Sequence, residues 1–217
     1  MEEIDAQVKG VGGVVGGGMD DVLLCVPTGM AVALMAKFKA NLVPLHLEEV
    51  PKKGQWYIKN RELADFHENA GTFLPRTRGV AETKDKDGNP IKGYGVEVAG
   101  VPMGDRDYIL AVLTQKVAIA SSTQILISNL LRFADPLALF QIIRQCLAAQ
   151  FAYLARHVCP SIFAEFAKTI DSHLLKLLLE ALGQVDGPDN EELVRGRIFH
   201  QVKNGGVGIH PVDATLS

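Results

Sequence analysis

Cysteine is scarce, with three residues in 217, Cys25, Cys146 and Cys159. The number is odd and far too small for a disulfide scaffold, which points to a reducing compartment. There is no C-x-x-C pair, and His157 beside Cys159 is one pair without a partner pair, so a zinc site is not expected. Neither charge is in large excess: 22 Lys and Arg against 25 Asp and Glu leave −3 at neutral pH. A histone-like polycation is thereby excluded, and any nucleic-acid contact has to come from a local patch. Long hydrophobic runs are also missing. The longest, Val22 to Met35, is interrupted by Pro27-Thr28-Gly29 and falls short of the roughly 20 residues that cross a bilayer. The opening Met1-Glu2-Glu3-Ile4-Asp5 is acidic where a secretory leader is basic. These absences read as a soluble, intracellular chain of the nucleus or cytoplasm with no membrane partner. No repeat or low-complexity tract is visible.

What is present is an ordinary globular balance, 47% hydrophobic and 22% charged. Composition changes near residue 104. Gly, Pro and charge punctuate the chain before it, whereas Leu, Ala, Ile and Phe recur at helical spacing after it. The expected fold is α+β, with partial palm-like β-hairpins and a helix in residues 1–104 and an all-helical, thumb-like bundle in residues 105–217.

In the first region the β-branched run Val11 to Val15, the segment Gly16 to Asp21 and the apolar run Val22 to Val26 read as strand, tight turn and strand. Val32, Met35, Ala36 and Phe38 to Leu42 fit an amphipathic helix before Pro44. Gln55 to Ile58 is a further strand, 75–93 reads as a polar loop, and Gly95 to Ala99 is a third pairing candidate. In the second region helices are expected over about Asp107–Phe133, Pro136–Val158 and Ser161–Leu182, with a shorter one over Asn190–Phe199. The second carries the stripe Phe140, Ile143, Leu147, Phe151, Leu154 and Val158; the third takes Ser161 as its N-cap.

The densest chemical signal is Asp20-Asp21 in a glycine-flanked turn between two apolar strands. Adjacent acids there can present carboxylates to a divalent cation, and Mg²⁺ prefers one or two such groups plus substrate phosphates. Asp also favours turns because its side chain bonds nearby backbone N–H groups. The basic residues Lys52, Lys53, Lys59, Arg61, Arg76 and Arg78, interleaved with Trp56 and Tyr57, form either a patch on which bases could stack or a solvated face with its aromatics turned inward. The early glycines fit no G-x-G-x-x-G register and no Gly-Lys-Ser/Thr follows, so neither a dinucleotide fold nor a P-loop is supported.

The order of parts carries a resemblance. Gly18-Met19-Asp20-Asp21-Val22-Leu23-Leu24 resembles the aromatic-x-Asp-Asp hairpin of the reverse transcriptase palm. After a helix, Leu45-His46-Leu47-Glu48-Glu49-Val50-Pro51-Lys52-Lys53 is similar to that family's lysine-bearing segment. Val96 to Gly104 resembles its hairpin at the primer end, and the helical remainder resembles the region after the palm in reverse-transcriptase-like proteins of non-LTR retroelements. The resemblance implies two-Mg²⁺ nucleotidyl transfer in RNA-directed DNA synthesis, with an RNA/DNA primer–template as partner. Asp20 and Asp21 take the metal and catalytic positions, and Lys52 or Lys53 approaches the leaving pyrophosphate. Gly100, Val101, Pro102, Met103 and Gly104 hold the primer.

Two departures bear on activity. The aromatic position before x-Asp-Asp is Gly18, and the segment before Asp20 is too short to supply both the further metal-binding Asp and the nucleotide pocket. The chain is therefore read as a C-terminal polymerase fragment, inactive alone, in which Mg²⁺ acts only if the missing palm is supplied. The rival reading is a non-enzymatic helical module that binds a protein partner.

Overall fold

The computed structural model describes residues 2–18, 21–50, 53–72, 77–84, 88–130, 135–181, 191–200, 202–204 and 206–213. The fold is α+β. The chain divides into two compact units, one of residues 1–81 with 92–108, the other of residues 82–91 with 109–217.

The first unit opens with a helix that the sequence pattern did not suggest, α1 (Glu2–Gly10). Ile4 and Val8, one turn apart, are buried with Leu34 of α2 (Thr28–Leu42), and Val15, Leu24, Val26 and Phe38 pack around them. Lys37 Nζ of α2 donates to Gln7 Oε1 of α1 at 2.9 Å. Val11 and Gly12 complete the end of α1, with Val11 N–H bonded to Val8 O and Gly12 N–H to Lys9 O. The first strand therefore starts three residues later than Val11, as β1 (Val14–Gly18). It pairs antiparallel with β2 (Asp21–Cys25), Val14 opposite Cys25 and Gly18 opposite Asp21. Gly16–Gly18 thus belong to the strand, where a turn was expected. After α2, Pro44 cannot continue the helix, and Val43–Leu45 tighten into a 3₁₀ turn that His46 closes in the left-handed conformation.

A two-residue parallel pairing joins β3 (Gln55–Trp56) to β4 (Thr77–Arg78). Between them lies a second unanticipated helix, α3 (Arg61–Asn69), whose N-cap Asn60 accepts Leu63 N–H at 3.1 Å. The segment 75–93 contains strand: β4, β5 (Val80–Lys84) and the start of β6 (Pro90–Val98). With β7 (Val101–Gly104), β5 and β6 form a three-stranded sheet in sequence order. Gly95 pairs with Gly104 and Val98 with Val101, leaving Ala99 (φ 49°) and Gly100 (φ 78°) as a two-residue turn with both residues left-handed.

In the second unit, α4 (Arg106–Leu130, within this unit from Ile109) buries Ala111, Val112 and Leu113. The second helical run is α5 (Pro136–Ile142), a π-helical segment Ile143–Ala148 and α6 (Ala149–His157). Its buried stripe begins at Leu139 (2% exposed) where Phe140 was expected, then follows Ile143, Leu147, Phe151, Leu154 and Val158. Leu139 stands one helical turn, four residues, before Ile143 and so shares its face. The third helix, α7 (Pro160–Ala181), starts at Pro160, so Ser161 lies inside it and is no cap. Cys159 O accepts the N–H groups of both Ile162 and Phe163. A short helix α8 (Glu191–Ile198) and a 3₁₀ turn (Val202–Asn204) lead to a terminal segment in which Ile209 and Val212 are buried.

Candidate functional site

The hairpin of β1 and β2 sets the geometry of the acidic pair. Gly18 and Asp21 are the last paired positions, so residues 19 and 20 alone connect the strands. Asp21 is the first residue of β2. Asp20 and Lys52 lie outside the described residues. Lys53 is exposed, and its N–H closes a turn on Val50 O at 3.0 Å. The segment from 100 to 104 forms the tip and second strand of the β6–β7 hairpin, in a different sheet from β1 and β2. Val101 (7% exposed) and Pro102 are buried, which removes their side chains from direct contact with a primer. Gly100, Met103 and Gly104 remain accessible, with Met103 53% exposed.

The basic and aromatic residues resolve in favour of the inward arrangement. Trp56 and Tyr94 are buried with Ala64, and Tyr57 and Ile58 pack against them. The Arg78 guanidinium stands 4.6 Å from the Tyr94 ring centre and 6.0 Å from that of Trp56, and its Nη1 lies 2.6 Å from both Asp65 and Glu68 of α3. Burial alone would lower the Arg78 pKa, but these two carboxylates outweigh it and leave the group raised above its usual value. Arg61 pairs with Asp105. Of the six cations of the expected patch, Arg61 and Arg78 pair with acids, Lys53 and Lys59 are exposed, and Lys52 and Arg76 lie outside the described residues.

Asp105 is the hub that sequence reading missed. Its carboxylate accepts Tyr94 N–H at 3.1 Å and Tyr108 N–H at 2.8 Å, capping α4 while fixing the end of the β6–β7 hairpin. The Tyr94 hydroxyl in turn accepts Ile58 N–H at 2.9 Å. Asp three residues before Tyr108, just ahead of an apolar periodic run, was the available signal for this cap. Burial, then Tyr94 and Asp105, push the Tyr57 phenol up, against the lowering effect of Arg61; burial and Glu97 push Tyr108 up to about 12.

Among the described residues no three His, Cys, Asp or Glu side chains come together as a metal-binding group. The described strand residues beside Asp21 are glycine, aliphatic or cysteine, so they do not fit a two-Mg²⁺ centre without further acids. A void of about 10 Å³ in the helical unit, lined by Val117, Leu147, Phe151, Ile170, His173 and Leu174, has room for about one water and none for a substrate.

No family model, curated protein or solved structure matches the chain. Among the described residues, one helical run, Leu137–His157, is long and apolar enough by length and composition to cross a membrane, and a third of its most apolar window is buried inside the protein. A buried core helix passes the same test.

Proposed function

We propose that the chain is the C-terminal palm-and-thumb portion of an RNA-directed DNA polymerase like those of non-LTR retroelements, and that it holds a primer–template duplex without transferring nucleotides by itself. The observation that supports this best is the β1–β2 register, which leaves a two-residue connection carrying Asp20 directly before Asp21. The order that follows is also that of the resemblance: helix α2, a lysine-bearing segment, the hairpin ending at Gly104, then helices. Partner and place follow from the reading: an RNA/DNA duplex inside the cell, in nucleus or cytoplasm.

The chain's own residues contribute binding. Lys53 and Lys59 are the exposed cations of the first unit best placed in sequence to meet phosphates, and Gly100, with open space where a Cβ would stand, allows a sugar–phosphate backbone to come close, whereas the bare side of Gly104 is taken up by Tyr94 and Gly95. Two phosphate contacts predict that affinity for a DNA–RNA duplex falls about tenfold between about 50 and about 200 mM salt, by counterion release. Fluorescence anisotropy reads this directly. A duplex affinity that ignores salt, or no binding at low salt, sinks the proposal. So does template-directed nucleotide incorporation by the chain alone that disappears in Asp20→Ala, because it would show a complete active site.

A further inference from the structure

The helical run from Asp135 to Arg156 has a face that no other described part of its own unit covers. Its inward side is the stripe from Leu139 to Val158; its outward side includes Leu137 at 64%, Ile142 at 48% and Tyr153 at 39% exposure. Between Asp135 and Arg156 the only charged residue is Arg144. It is half-buried and lies toward Gly208, where an added Cβ would come within 3.2 Å of its guanidinium. Every exposed residue between Asp135 and Arg156 is uncharged, and Leu137, Ile142 and Tyr153 are among them.

We propose that this face binds a second copy of the same chain, helix antiparallel to helix, about a two-fold axis between Gln145 and Cys146. The charges at its ends select that occupant. Asp135, exposed at the N-terminus, and Arg156, exposed in the last turn, are in no ion pair among the described residues, and the antiparallel arrangement sets each against the other's counterpart. Parallel pairing would instead oppose like charges. The same register sets exposed positions against exposed ones between Ala138 and Tyr153, while Leu137, whose counterpart Leu154 is buried, takes no part. Ala138 falls opposite Tyr153 and Ile142 opposite Ala149, so each large side chain faces a small one, as interdigitating helices require. Gln141 falls opposite Gln150, where two amides can donate and accept reciprocally. An isologous contact needs self-complementarity of this kind, because each residue pair occurs twice. The inference concerns the helical unit alone and stands independently of the polymerase reading.

Cys146 lies beside the proposed axis and is exposed. In a Cys25→Ser, Cys159→Ser background it is the only thiol, and a short bis-maleimide then joins two chains through it if the axis is placed correctly. The expected product is a covalent dimer of twice the 23.5 kDa chain mass, with a matching species in sedimentation equilibrium. Arg156→Glu sets acid against Asp135, and Ala149→Lys drives a charge onto Ile142; each lowers cross-linking at least about tenfold, with the circular dichroism unchanged because both positions are exposed. A monomer at all concentrations, or cross-linking indifferent to both substitutions, overturns the proposal. So does a monomer that cosediments with phosphatidylcholine vesicles and loses this in Ile142→Lys, an outcome that assigns the face to a bilayer.

Discussion

The carboxylate of Asp171, in the middle of α7, accepts the backbone N–H of Val212 at 2.8 Å, 41 residues further along the chain. Its other oxygen accepts Asp213 N–H at 3.2 Å. Asp171 is wholly buried, and so are the neighbouring anchors Ile209 and Val212. One side chain thus satisfies two main-chain donors that apolar surroundings would otherwise orphan. Asp171→Ala is expected to cost about 2–4 kcal/mol in urea unfolding, because it leaves both N–H groups unpaired. Asp171→Asn keeps one acceptor and costs about half of that. Equal, negligible losses in both variants would contradict the tether.

The same residue gives a pH dependence. Burial raises its carboxyl pKa, outweighing the lowering by the Val212 and Asp213 N–H groups and by Arg195; the Asp213 charge raises it further. A folded value above the unfolded one means that the native state holds the proton more tightly. This contribution to stability is fully present below the 3.8 of an unfolded aspartate and is lost as pH rises through the folded value. Stability measured across the mildly acidic range falls in the parent and stays flatter in Asp171→Asn. A parent curve that rises over that window by more than the Asn variant's would be the contrary result.

Tyr108 provides the alkaline counterpart. Buried at the start of α4, with its pKa pushed up to about 12 by burial and Glu97, it favours the neutral phenol in the folded state. Its stabilisation is complete below pH 10 and lost as pH rises through about 12. Tyrosinate absorbance should show this phenol ionising late and together with unfolding. Ionisation at its ordinary value with the fold intact would contradict its burial.

How much of this was legible in the sequence depended on the range of the interaction. Period and punctuation located the β1–β2 pair, α2 and the three long helices, because each is specified by its own residues. Helices α1 and α3 escaped for a different reason: with nine residues each and little apolar content, they exist by packing Ile4, Val8 and Ala64 against partners far along the chain. The burial of Leu139 where Phe140 was expected, and the inward capture of Arg78 by Trp56 and Tyr94, are likewise tertiary. The acids of the candidate site came from a glycine-flanked turn pattern together with the resemblance, and Asp20 lies outside the described residues. Asp105, which ties hairpin to helix, looked like one acid among many.

Backbone approach at the β6–β7 hairpin supplies a paired prediction. A Cβ on Gly93 would lie 1.8 Å from Tyr108 N, so Gly93→Ala should lose about 3 kcal/mol or more. At the tip, Ala99 holds a left-handed φ of 49° that glycine adopts at no steric cost; Ala99→Gly should gain about 0.5–1 kcal/mol. Thermal unfolding separates the two, and a Gly93→Ala protein as stable as its parent would show that helix and strand are further apart than described.

The polymerase reading rests on where a primer end would meet the chain. A DNA–RNA duplex carrying a photoreactive nucleotide at the primer 3′ end, irradiated with the protein and mapped by peptide mass, tests it most directly. The expected result is cross-linking concentrated at Gly100, Met103 and Gly104, the accessible positions of the β6–β7 tip, with a yield that drops as salt rises. Cross-links scattered over the helical unit, or none at low salt, would contradict it.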